Sequence, residues 1–126
     1  MVVGDQEDFD YALSFAGGTV AVALFSKGEG DLFEGIKTTM IDNGAAQVSI
    51  ERSLFSTDAG RWSAVKSKHE VKGTVYDWIR LVGEGTDGRI AVLDLYVDDS
   101  IGEKYYSVIK EMAKSFTVIE PTVSSN

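Results

Sequence analysis

His69 is the only histidine in this chain of 126 residues, and it stands beside Glu70. Its ring titrates near neutrality, which suits it to general-base chemistry or to nitrogen ligation of a metal. Either role needs further groups converging on the ring, a nucleophile and an orienting acid for a triad, and no local signature supplies them. The expectation for His69 is therefore a structural or exposed ring at a strand end. Carboxylates form the second group: Asp98, Asp99 and Glu103 in one run, Glu84 and Asp87 at a turn, and Asp94 alone in an apolar stretch. A calcium ion wants about six to eight oxygens at close range. Asp98 and Asp99 fit more simply as residues just before a helix, where exposed N–H groups favour negative charge. Asp94 must face an edge or find a partner, because an unpaired buried carboxylate is costly. Arg80 or Arg89 on a neighbouring strand is the expected partner, with a ligand-facing carboxylate as the alternative. Gly28-Glu29-Gly30-Asp31 opens a helix as phosphate loops do, yet it lacks the nucleotide-binding spacings and sets two acids where the phosphate would lie. No catalytic residue, cofactor or metal ligand is expected, and the chain does not read as an enzyme.

Aromatic and arginine residues supply the remaining candidates. Tyr76 and Trp78 share one face of a predicted strand, and Trp62 lies on the strand before it. Rings of this kind fill cores, or they anchor protein interfaces where a sheet is left uncovered. Trp62 is expected to be the exposed one, because Lys66 and Lys68 follow it on the same face. Arg61 and Arg89 flank turns that should fall at one end of a meander, a small basic feature able to seat a carboxylate or phosphate. The candidate partner-binding set is thus Trp62, Arg61, Arg89, Tyr76 and Trp78.

The elements that must position these residues are readable. Val75 to Val82 and Ile90 to Val97 are apolar at both alternating sets of positions, the pattern of strands covered on two faces. Before them, Tyr11 to Phe15 and Thr19 to Phe25 predict a hairpin, Ala46 to Leu54 a strand with one wetter face, and Arg61 to His69 a further strand. Asp31-Leu32-Phe33-Glu34 has the form of a helix-capping box, with Leu32, Phe33, Ile36, Met40 and Ile41 as the inner face and Asn43-Gly44 as the stop. A second box, Ser100-Ile101-Gly102-Glu103, predicts a helix whose inner stripe is Ile101, Tyr105, Val108, Met112 and Phe116. Phe116 to Glu120 reads as a last short strand. The fold class is α+β: a mostly antiparallel twisted sheet of six or seven strands packed by two main helices, an α/β/α sandwich in the order ββαββββαβ. Residues 1–126 form a single domain with a core at about 9–120, an acidic N-terminal tail and a polar C-terminal tail.

Composition bounds the function. A net charge of -8 and no cysteine exclude disulfide scaffolds, thiolate chemistry and cysteine-held metal clusters, and they disfavour nucleic acid or anionic membrane surfaces. No apolar run is long enough to span a bilayer, so direct membrane insertion is not expected. No secretory leader is visible. Localisation stays open between the cytoplasm and the mature part of an exported protein or lipoprotein.

The element order, together with Leu32-Phe33-Glu34-Gly35-Ile36, Gly60-Arg61, Val71-Lys72-Gly73, Gly88-Arg89-Ile90 and Ile109 to Val118, resembles the PsbP-like fold family. That family includes Ran-binding Mog-type proteins and DcrB-type bacterial domains. The resemblance covers roughly residues 9–120 and implies an antiparallel sheet between helical layers. It also implies a protein-binding or assembly-accessory role. No alignable acidic motif of the Ran-binding members is present, and His69 alone does not match the metal-binding histidines of the photosystem subunit. A protein partner is expected on this basis, and a small-molecule ligand stays open. The alternative function is a small-molecule or lipid carrier with an apolar cavity between helix and sheet.

Overall fold

The computed structural model of the chain describes residues 11–15, 18–26, 31–57, 60–85 and 88–115. Strands β1 (Tyr11–Phe15), β2 (Gly18–Ser26), β3 (Gln47–Thr57), β4 (Gly60–Val71), β5 (Thr74–Glu84) and β6 (Arg89–Asp98) combine with helices α1 (Leu32–Asp42) and α2 (Gly102–Lys114). The fold is α+β. One antiparallel sheet has the order β1-β2-β6-β5-β4-β3, so the meander from β3 to β6 is extended by the N-terminal hairpin, which adds β2 beside β6. The expected last strand at Phe116 to Glu120, both tails, and Asp87 lie outside the described residues.

Local chemistry explains these boundaries. Asp31 caps α1, its Oδ1 accepting from Phe33 N at 2.9 Å and from Glu34 N at 3.4 Å. Gly44 N donates to Ile41 O, which closes the helix at Asn43-Gly44. Lys72 and Gly73 both have positive φ, 51° and 84°, and form the two-residue turn joining β4 to β5. Such a turn matches the twist of the flanking strands, and glycine enters it without a steric penalty. A bulge between Glu51 and Phe55 interrupts β3, and there Ser53 N donates to Ser63 Oγ at 3.1 Å.

Strand β6 is buried from Ile90 to Val97. Its odd positions, Ala91, Leu93, Leu95 and Val97, pack with Trp62, Ala64, Ile79 and Leu81 under Ile109 and Ala113 of α2. Its even positions Ile90 and Val92 pack with Val65 and Val82 under Phe33, Ile36 and Met40 of α1. Successive strand side chains point to opposite faces, so the two helices cover opposite sides of the sheet. Each fully buried leucine there contributes about 2 kcal/mol.

Both predicted helix stripes need correction. Ile41 is half exposed, one residue and 100° around the helix from buried Met40. On α2 the inner face is Gly102, Ile109 and Ala113, with Tyr105 and Tyr106 partly buried, whereas Val108 is 43% and Met112 40% exposed. The cause lies at the helix start. Ser100 does not cap α2: Asp98 caps the turn before it, its Oδ1 accepting from Ser100 N at 3.0 Å, and the N-cap position of α2 is Ile101, which makes no side-chain cap bond. A short 3-10 turn over Asp99–Ile101 follows, and α2 begins only at Gly102.

Candidate functional site

On the α1 side of the sheet, three neighbouring strands bring seven chemistry-bearing residues together. β5 contributes Tyr76, Trp78 and Arg80 at alternate positions, β6 contributes Asp94 and Tyr96, and β4 contributes Ser67 and His69. Register makes this possible: His69 lies across from Tyr76, Ser67 from Trp78, Trp78 from Tyr96, and Arg80 from Asp94. Tyr76 and Tyr96 stack with centroids 5.2 Å apart, and the His69 ring lies 5.4 Å from Trp78 and 6.2 Å from Tyr96. Tyr76, Trp78 and Arg80 keep part of their surface exposed, while His69, Tyr96 and Asp94 are buried beneath them.

Asp94 holds the row in place. Its side chain is 0% exposed, and its Oδ1 accepts from Trp78 Nε1 at 2.8 Å and from Arg80 Nε at 3.0 Å. The expectation of an arginine partner for Asp94 is met by Arg80. The second oxygen, Oδ2, is buried with no hydrogen-bond partner among the described residues. The guanidinium of Arg80 also lies 5.5 Å from the centre of the Trp78 ring. One carboxylate thus fixes both an indole and a guanidinium in a chosen orientation.

His69 is buried rather than exposed. Its Nδ1 lies 3.3 Å from Asn43 O and its Nε2 2.9 Å from Ser67 Oγ. A carbonyl only accepts, so Nδ1 carries the proton, and in the neutral ring the Ser67 hydroxyl donates to Nε2. The ring thereby ties the end of α1 to β4. Ser67 is also buried, with its Oγ 3.4 Å from Trp78 O.

The other sequence candidates are dispersed. Trp62 is not the exposed ring: it is 0% exposed, stacks on Phe55, and its Nε1 donates to Thr57 Oγ1 at 2.8 Å. Gly83 on β5 makes this burial possible, because a Cβ there would overlap the Trp62 ring. Arg61 and Arg89 do fall at the same end of the sheet, beside Glu84 and Gly85. They do not form one basic feature, however. Arg61 is in phase with Val65 on the α1 side, and Arg89 is in phase with Ala91 on the α2 side. Asp98 serves as the cap described above, and the backbone N–H of Ser100 holds its carboxyl below the usual range.

A second feature was not anticipated. An open groove of about 400 Å³ lies on the α2 side between β3, β4, β5 and the first turns of α2, lined by Gln47, Ser49, Lys66, Lys68, Glu103 and Tyr106 among others. Its two lysines are paired with carboxylates. Lys68 Nζ meets Asp77 Oδ1 at 2.7 Å, Lys66 Nζ meets Glu51 Oε1 at 3.2 Å, and the Tyr106 hydroxyl donates to Glu51 Oε1 at 3.0 Å. Burial, reinforced by the Glu51 hydrogen bond, raises the Tyr106 hydroxyl well above the ordinary tyrosine value. The Asp77 bond raises Lys68. Burial tends to raise Glu51, but bonds from Tyr106 and Lys66 outweigh it and leave the carboxyl below its usual value. Alternation would have placed Lys66 and Lys68 on one face, but which helix turn faces them depends on where α2 starts.

Among the described residues no group of three or more potential ligands gathers to hold a metal ion, and no helix is long and apolar enough to cross a membrane. No protein-family model matches this chain, and no curated protein sequence matches it.

Proposed function

We propose that this chain is a non-enzymatic protein-binding or assembly-accessory domain of the PsbP-like type, docking through the row Tyr76, Trp78 and Arg80. The observation that carries the reading is the pair of hydrogen bonds that Trp78 Nε1 and Arg80 Nε donate to Asp94 Oδ1. Trp, Tyr and Arg are the side chains that most often dominate interface energetics. Side chains fixed before binding lose less conformational entropy on docking. The order of elements and the helices on opposite faces of an antiparallel sheet agree with the architecture that the resemblance implies. The carrier reading has less support, because the groove between α2 and the sheet is open and carries Lys66, Lys68, Asp77 and Glu103 beside Val48, Ile79 and Tyr106.

The test is affinity capture from native lysate with the folded domain and with Tyr76→Ala and Trp78→Ala as baits. A protein retained by the wild type and lost from both variants, with the circular dichroism of the baits unchanged, is the expected result. Enrichment of a lipid or metabolite alone would overturn the proposal in favour of the carrier.

A further inference from the structure

Among the described residues strand β3 ends the sheet, with β4 as its only strand neighbour. A terminal strand offers a row of unpaired backbone groups to any extended chain, and natural proteins interrupt such edges with bulges and charges. Here the bulge between Glu51 and Phe55 interrupts the second half of β3. The first half, Gln47 to Glu51, is regular, and its sequence Gln-Val-Ser-Ile-Glu reads alike in both directions about Ser49: polar, aliphatic, serine, aliphatic, polar.

We propose that this segment pairs antiparallel with the same segment of a second copy, about a twofold axis through Ser49. In that register Val48 lies across from Ile50 of the partner subunit, and Gln47 from Glu51 of the partner subunit. Val48 and Ile50 are only partly buried and already pack on the α1-side core, so the pairing joins two apolar clusters into one. On the opposite face Glu51 meets an amide, and no like charges are set directly across from each other, an arrangement that would be destabilising. The bulge after Glu51 ends the pairing and fixes its register. An isologous contact of this kind closes after two copies, whereas joining a β1 edge to a β3 edge would generate an open chain. Gln47, Val48 and Ser49 also border the groove, so the second copy lies beside its rim. Opposing the pairing is the net charge of -8 on each copy, a long-range repulsion that salt screens.

Sedimentation equilibrium of the full chain over a wide concentration range, at low and high salt, tests the proposal. The wild type is expected to approach the mass of two copies as concentration rises, more readily at high salt. Ser49→Glu places like charges across the axis, yet within each chain the new carboxylate faces Lys66 on β4, so the fold is kept. It should weaken the dimer by about tenfold at low salt. Ser49→Lys should also weaken the dimer, with circular dichroism checking that its fold survives the lysine it sets beside Lys66, and an equimolar mixture of the two variants should restore the pair. A single-copy mass at every concentration, association beyond two copies, or a dimer indifferent to both substitutions would each overturn it.

Discussion

Asp77 presses its carboxylate against the α-carbon of Gly102, so closely that a Cβ at position 102 would overlap Asp77 Oδ2. The contact seats the first turn of α2 on β5 and leaves Asp77 Oδ1 for Lys68. In an exposed helix, glycine to alanine is a gain of up to about 1 kcal/mol. Here the added methyl must displace a largely buried carboxylate, so Gly102→Ala is predicted to destabilise by about 2 kcal/mol. Urea unfolding measures the change, and in an Asp77→Ala background the same substitution should cost nothing.

Removing Asp94 should expose how much of the aromatic row it holds. Asp94→Ala leaves the Trp78 indole N–H and the Arg80 guanidinium without their shared acceptor. A loss of about 3 kcal/mol is expected, along with a red shift of Trp78 emission. Replacing both partners, Asp94→Leu with Arg80→Met, should recover most of the stability, because the uncompensated charge is then gone. Recovery no better than the single variant would show that the pair does more than neutralise charge.

Stability should fall on the alkaline side through Tyr106 and Lys68. Both groups hold their protons more tightly in the folded chain, so their stabilisation is complete below the unfolded tyrosine and lysine values, 10.0 and 10.5. It is lost as pH rises through those values toward the folded ones. Glu51 acts with the opposite sign: its lowered value gives stability above the ordinary carboxyl range that disappears as pH falls through the folded value. Thermal midpoints from acid to alkaline pH check both limbs, and Tyr106→Phe should reduce both, leaving the parts due to Lys68 and Lys66.

Trp62 and Gly83 give a packing test. The indole lies where a Cβ at position 83 would sit, with Trp62 Cε2 only 2.6 Å away. Gly83→Ala is therefore expected to cost about 2 kcal/mol or more by forcing a fully buried ring to move. Chemical denaturation of the single variant provides the measurement. A neutral result would mean that the ring has a second rotamer available.

Much of this molecule was legible in its residues, and the parts that were not have separate causes. The Asp31 cap, the Asn43-Gly44 stop, the Lys72-Gly73 turn and the two-sided burial of Ile90 to Val97 follow from local rules of spacing and capping. So does the need of Asp94 for a cationic partner. One failure depended on a neighbour distant in sequence, and the others on local geometry that residue type alone does not show. The burial of Trp62 requires a glycine on the adjacent strand, which alternation within β4 does not reveal. Arg61 and Arg89 were placed at the right end, but counting along each strand would have separated their faces. The inner face of α2 was displaced because the Asp98 cap and the turn after it delay the helix by a fraction of a turn, enough to bring Ile109 and Ala113 inward and turn Val108 and Met112 out.

The position of β2 beside β6 also bears on how the chain reaches its native state. The meander from β3 to β6 joins strands that follow one another in sequence, whereas β2 pairs Gly18 with Val97 and Ser26 with Arg89. Closing those distant pairs gives up far more chain entropy than closing a hairpin. The meander is therefore the nucleus expected to form first, with the N-terminal hairpin zipping on afterwards. Kinetic φ-values should be high at Leu81 and near zero at Ala21.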